Sequence, residues 1–331
     1  MDMPRVIRHH DRMSLDALIE KHGHRPDRHI TRVMGCFVVV ADGAVIEVDR
    51  TDALSYCPLQ SMLGDPDVAA YIEGKIRKFG QFTAHREIVR DSFGVPFGTS
   101  EMFMRALQAG VLDAAVVVCD GAGTVVSARP EVVQGIGARM NGVFHTSPIP
   151  EIQRKLRERD GIVFDGAPID QLRGLRAAAA AGYARVGVTV NAFRGESLCA
   201  LRETARDTGL DVTVAALCAT GAGAQRARQI AEHADLAWSC ASQHVRAYGR
   251  EAILQITHGI PIFVHTARGM RIVAAYADEP GRRAIEAVKP GRQYLLSSRP
   301  PGAPVRLGET GLWLSETRLP VAGKHAPRPL R

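Results

Sequence analysis

The chain has 331 residues, of which 46% are hydrophobic and 5% aromatic, with a formal net charge of +7; that is enough to bury a substantial core in two domains or one large one. The longest apolar runs, Phe37-Val40 and Ala114-Val118, are too short to cross a bilayer, and the start carries charges where a secretory signal needs an apolar stretch, so the expectation is a cytoplasmic protein with no membrane partner. The basic excess gathers in the first 32 residues and after Arg282. Without interleaved aromatics this argues against a nucleic-acid partner and for a small anionic one.

Residues 1–32 hold scattered histidines and arginines with no regular ligand spacing and read as a flexible basic extension, with one short helix capped by Ser14. Residues 33–112 read as an N-terminal hairpin and helical region. Asp42-Gly43 between the runs 35–41 and 44–48 is a hairpin signal, and Pro58 leaves Cys57 in a fixed turn. Val68, Tyr71, Ile72, Ile76 and Phe79 recur at helical spacing, and a second helix runs from Ser100 to Ala109, stopped by Gly110.

Residues 113–281 alternate strands (114–118, 161–164, 185–190, 211–217, 235–238 and 261–264) with helices (150–159, 169–181, 196–208, 224–233 and 243–248). This predicts an α/β fold with a mostly parallel sheet and crossover helices, beside the N-terminal β-hairpin and between flexible termini. Residues 282–331 read as a Pro- and Gly-rich basic tail, with 311–314 as one stray strand.

Six cysteines, Cys36, Cys57, Cys119, Cys199, Cys218 and Cys240, are widely spaced with no CxxC pair, a pattern of thiols, metal ligands or core residues instead of disulfides. Cys119 and Cys218 each follow a strand and precede Gly-Ala-Gly, and Cys240 follows the strand ending at Trp238. Parallel strands deliver their carboxyl ends to one edge of a sheet, so thiolates from separate loops can meet there. Three of them on a [4Fe-4S] cluster leave one iron open to substrate. A zinc site that adds His244 and a lone nucleophilic Cys119 with no metal are the alternatives.

Glycine-rich loops form the second constellation. Gly121, Gly123 and Thr124 follow Cys119, and Gln134, Gly135, Gly137, Arg139 and Asn141 lie close together further on. They read either as backbone N–H groups and an arginine around a small anion or as close strand–helix packing. Asp120, next to Cys119, is the carboxylate placed for acid–base work alongside that thiol. No Ser-His-Asp order, HExxH or Walker loop is present.

Ser55-Tyr-Cys57-Pro-Leu59, Phe97-Gly-Thr-Ser-Glu-Met102, Asp113-Ala-Ala-Val-Val-Val-Cys119-Asp-Gly-Ala-Gly-Thr124, Arg129-Pro-Glu-Val-Val-Gln-Gly-Ile-Gly-Ala-Arg-Met-Asn-Gly142, Thr146-Ser-Pro-Ile149 and Trp238-Ser-Cys-Ala-Ser242 together resemble the methanogenesis marker protein 8 family over residues 33–276. The resemblance implies a shared sulfur or coenzyme theme and carries Cys57, Cys119 and Cys240 as motif cysteines, with Cys218 beside them. The resulting expectation is an enzyme of coenzyme or sulfur metabolism whose Cys57, Cys119 and Cys240 bind a [4Fe-4S] cluster and which acts on a small anion by elimination or sulfur transfer. A cofactor-assembly or binding protein attached to a larger enzyme complex, and a metal-free thiol enzyme using Asp120 and Cys119, are the competing expectations.

Overall fold

A computed structural model describes residues 7–9, 14–49, 51, 54, 56–57, 67–138 and 142–323. The first part of the chain supplies β1 (Ile7–His9), α1 (Leu15–His22), β2 (Arg28–Val33), β3 (Cys36–Ala41), β4 (Ala44–Asp49), α2 (Val68–Phe79) and α3 (Thr99–Gln108). The middle supplies β5 (Ala114–Cys119), β6 (Gly123–Ser127), α4 (Pro130–Gly137), β7 (Gly142–Thr146), α5 (Pro150–Arg157), β8 (Ile162–Val163), α6 (Gln171–Ala180), β9 (Arg185–Asn191), α7 (Leu198–Thr208), β10 (Asp211–Leu217), α8 (Ala224–His233), β11 (Leu236–Trp238) and α9 (Gln243–Ala247). The last part adds β12 (Leu254–Ile256), β13 (Ile262–Val264), α10 (Ala267–Tyr276), α11 (Glu279–Glu286), β14 (Tyr294–Ser297), β15 (Ala303–Leu307) and β16 (Thr310–Glu316).

Local chemistry accounts for many boundaries. Ser14 accepts from the N–H of Ala17 to start α1, and Asp67 accepts from that of Ala69 to start α2. Gly80 ends α2 with φ 64°, a left-handed cap open to glycine. Asp42 and Gly43 have φ 48° and 71°, the pair of positive angles that a two-residue hairpin needs, and they join β3 to β4 as the sequence predicts.

A five-stranded sheet has the order β1-β4-β3-β2-β7, and an eleven-stranded sheet the order β15-β16-β14-β12-β13-β11-β10-β9-β5-β6-β8. The fold is mixed α/β, and the expectation of a mostly parallel sheet needs correction. Within the eleven-stranded sheet parallel pairing is confined to β5–β9, β9–β10, β10–β11 and β12–β14, while β5–β6, β6–β8, β11–β13, β12–β13, β14–β16 and β15–β16 are antiparallel. The reason is connection length. Only residues 120–122 separate β5 from β6, too few for a crossover.

The expectation of flexible termini is corrected for the residues described. β2 lies between β3 and β7 with five of its six residues buried, and β14, β15 and β16 extend the large sheet where a loose tail was expected. Alternation along β5 sends Ala115, Val117 and Cys119 into one core with α3, α4 and α5, and Ala114 and Val116 into another with α6 and α7. Among the described residues no helix is long and apolar enough to cross a membrane.

Candidate functional site

Cys119 is the last residue of β5 and pairs across the hairpin with Gly123. Its thiol is completely buried and donates to the backbone carbonyl of Asp120 at 3.3 Å. Burial first, then the charge of Asp120, pushes that thiol far above its ordinary range, which favours the protonated form. Asp120 is equally buried. It accepts from the backbone N–H of Phe82 at 2.5 Å and from Arg86 Nε at 2.9 Å. Arg86 is itself buried and also donates to the carbonyls of Glu87 and Ile136. Burial pulls this guanidinium down, but Asp120 and Cys119 outweigh it and its pKa is raised. The pair pins the turn after α2 to the large sheet.

The glycine loops meet protein at close range. Gly123 has φ 68°, and a Cβ there would stand 2.3 Å from the carbonyl oxygens of Ala167 and Pro168. Gly121 donates to Thr146 Oγ1 at 2.7 Å, which also contacts His29 Nδ1 at 2.7 Å. Thr124 Oγ1 accepts from the N–H of Asp170 at 2.8 Å. Gln134, Gly135 and Gly137 lie in or at the end of α4. Gln134 Nε2 donates to Ser92 O and to buried Glu101, Gly135 lets the carbonyl of Ile88 approach to 2.2 Å of its virtual Cβ, and Gly137 packs on Ser100. Arg139 and Asn141 lie outside the described residues.

A different set of thiols comes together where the two sheets meet. β10 and β11 are adjacent and parallel, and Cys218 and Cys240 follow their carboxyl ends. Both have left-handed backbones, φ 60° and 41°, a conformation that is uncommon outside glycine and is retained where the surroundings impose it. The N–H of Gly142, the first residue of β7, donates to the Cys218 sulfur, and the N–H of Ala219 donates to that of Cys240. The two loops are laced together: Ala241 N donates to Thr220 Oγ1, Gly221 N to Ala241 O, and Ser242 Oγ to Ala222 O.

Cys57, whose N–H donates to Leu54 O at 3.2 Å, completes this group from the side of the small sheet. It lies within electrostatic reach of both other thiols. Burial, then the neighbouring Cys218 and Cys57, pushes Cys240 up to about 12. Cys218 is exposed to solvent, yet burial is also the largest cause raising its pKa.

Arg32 of β2 stands over this group. Its Nε donates to Gly35 O at 3.2 Å and its Nη1 to Thr220 O at 2.9 Å, and its guanidinium lies 3.9 Å from the Phe193 ring centroid. Burial lowers its pKa, opposed by Cys218, Cys36, Cys57 and Cys240. Cys119 is absent from this environment. β5 stands two strands from β10 in the sheet, roughly 10 Å at ordinary interstrand spacing.

Of the cysteines singled out in the sequence, Cys57 and Cys240 are therefore neighbours, Cys218 is their third member and Cys119 lies apart. The matching strand, cysteine and Gly-Ala-Gly at Cys218 was the sequence signal for it. Arg32, inside a stretch read as an extension, had none. Among the described residues no three His, Cys, Asp or Glu side chains stand ready to hold a metal ion. The donor set, three thiols with two N–H groups on their sulfurs and a cation beside them, is nonetheless of the soft kind that suits thiophilic metals.

No solved structure matches the chain. The uncharacterized protein MJ0054 of Methanocaldococcus jannaschii is 32% identical over 263 residues, covering 76% of this chain and 92% of that protein. A family model described as an uncharacterized protein conserved in archaea matches residues 29–277, a span that runs from β2 through α10 and takes in Arg32 and all three clustered thiols. The chain belongs to this family of conserved archaeal proteins, DUF2099.

Proposed function

We propose that this methanogenesis marker 8-like chain is an enzyme of coenzyme or sulfur metabolism that holds a [4Fe-4S] cluster on Cys57, Cys218 and Cys240 and acts on a small anion by elimination or sulfur transfer. The observation that carries the reading is the pair of left-handed cysteines at adjacent strand ends, each with a backbone N–H on its sulfur. Such N–H groups stabilise thiolate over thiol and tune a bound cluster. A cluster held on these three thiolates would supply Lewis-acid chemistry toward a bound anion.

The chain's own residues do the rest. Gly142 and Ala219 orient the two sulfurs, Arg32 offsets thiolate charge from within the fold, and the Thr220–Ala241 bonds fix the spacing of the loops. Burial raises the pKa of Cys218 and Cys240 and so lowers their thiolate fraction, which weighs against a metal-free nucleophile.

Anaerobic reconstitution with iron and sulfide tests the reading. The wild-type chain and Cys119→Ala should take up about four irons per chain, and Cys57→Ala, Cys218→Ala and Cys240→Ala should each lose most of them. A chain that stays free of iron, or one whose cluster depends on Cys119 and not on Cys218, overturns it.

A further inference from the structure

Arg32 is an unusual buried cation. Its relative exposure is 9%, yet among the described residues no carboxylate lies within ion-pair distance of it. The other deeply buried arginine, Arg86, has Asp120. Buried charges are ordinarily paired, so a desolvated guanidinium with no carboxylate partner among the described residues suits a bound anion.

Its orientation is fixed. Gly35 O and Thr220 O hold Nε and Nη1, and the Phe193 ring backs one face, which leaves Nη2 with no hydrogen bond among the described residues. Thr220 is two residues from Cys218, and Gly142, the partner of Arg32 in the β2–β7 ladder, donates to the Cys218 sulfur. Guanidinium and solvent-open thiol therefore lie close together, and Lys75 adds positive charge toward the same sulfur.

We infer that small carboxylates bind beside Cys218 and that Arg32 is the residue that recognises their charge. A planar guanidinium is the natural partner of a carboxylate, and the apolar backing of Phe193 keeps water from competing for it. This rests on the thiol group being the ligand site proposed above, but it does not depend on a metal.

The test is alkylation of the reduced, metal-free full-length chain, with the Cys218 peptide quantified by mass spectrometry. The thiol gives its proton to buffer, its sulfur attacks the methylene carbon of the reagent, and iodide leaves. Iodoacetate carries a carboxylate, whereas iodoacetamide is neutral and of similar size. Relative to free N-acetylcysteine, Cys218 should favour iodoacetate over iodoacetamide by about tenfold, the scale of one charge-assisted hydrogen bond. Acetate should protect it from iodoacetamide.

Arg32→Gln should erase the preference and Arg32→Lys should retain part of it, with the melting transition of each variant recorded to show that it is folded. The wild-type measurements decide the matter even if the variants do not fold. An iodoacetate preference no greater than that of N-acetylcysteine, or no protection by acetate, overturns the inference. Iron analysis alone decides the cluster, so the two readings fail separately.

Discussion

Replacing Asp120 with alanine separates a structural carboxylate from a catalytic one. The substitution removes the acceptor of two bonds, from Phe82 N at 2.5 Å and from Arg86 Nε at 2.9 Å, in a place where Asp120 is fully buried and Arg86 nearly so. Leaving a buried charge without its partner costs about 3–5 kcal/mol, and an orphaned N–H at Phe82 adds about 1–3 kcal/mol. A loss on the order of 5 kcal/mol is a large share of the roughly 5–15 kcal/mol that holds a typical domain together. Urea unfolding of the reduced protein measures it. Removing both charges in Asp120→Leu with Arg86→Met should recover a substantial part of the loss, because the pair as a whole is worth much less than the penalty for splitting it. A shift below about 1 kcal/mol for Asp120→Ala, or a double variant as unstable as the sum of the single ones, would refute the structural assignment.

Burial holds the buried His29 near pKa 4, below its unfolded value of about 6.5. The unfolded chain therefore binds the extra proton first. Stability is fully present above pH 6.5 and falls as pH drops toward 4, by roughly 3 kcal/mol from this residue, and urea titrations of wild-type and His29→Gln protein should diverge in slope over that window. Gly135→Ala sets a Cβ 2.2 Å from the carbonyl oxygen of Ile88, so it should cost about 1–3 kcal/mol by overpacking, read as a lower melting temperature. An unchanged melting temperature would show that α4 can move away. Cys119→Ala should lower stability modestly and leave iron uptake intact, whereas Cys218→Ala should do the reverse.

The sequence made the β3–β4 hairpin legible because Asp42-Gly43 has essentially one use between two apolar runs, and α2 and β10 because their periodicities are unambiguous. It hid the β5–β6 hairpin: an all-apolar strand looks alike whether its neighbour is parallel or antiparallel, and both β5 and β6 are buried. β2 was hidden by its composition. His29, Thr31 and Arg32 are polar residues that belong to the interior only because Thr146, the Gly142 carbonyl and the Thr220 carbonyl receive them. The choice between Cys119 and Cys218 depended on strand order, which no local spacing encodes. Once β9 is inserted between β5 and β10, equivalent positions in the sequence cease to be equivalent in space.

Cys57 enters the thiol group from the small sheet, and Cys218 and Cys240 from the large one. A ligand held by all three is therefore a crosslink between layers that otherwise adhere through contacts such as Arg32 to Thr220 and Gly121 to Thr146. By mass action a molecule at one hundred times its dissociation constant adds about 2.7 kcal/mol to the assembled form. Protection of the β2 and β10 amides from hydrogen exchange should then rise together on loading, which makes cohesion of the two layers a direct measure of occupancy.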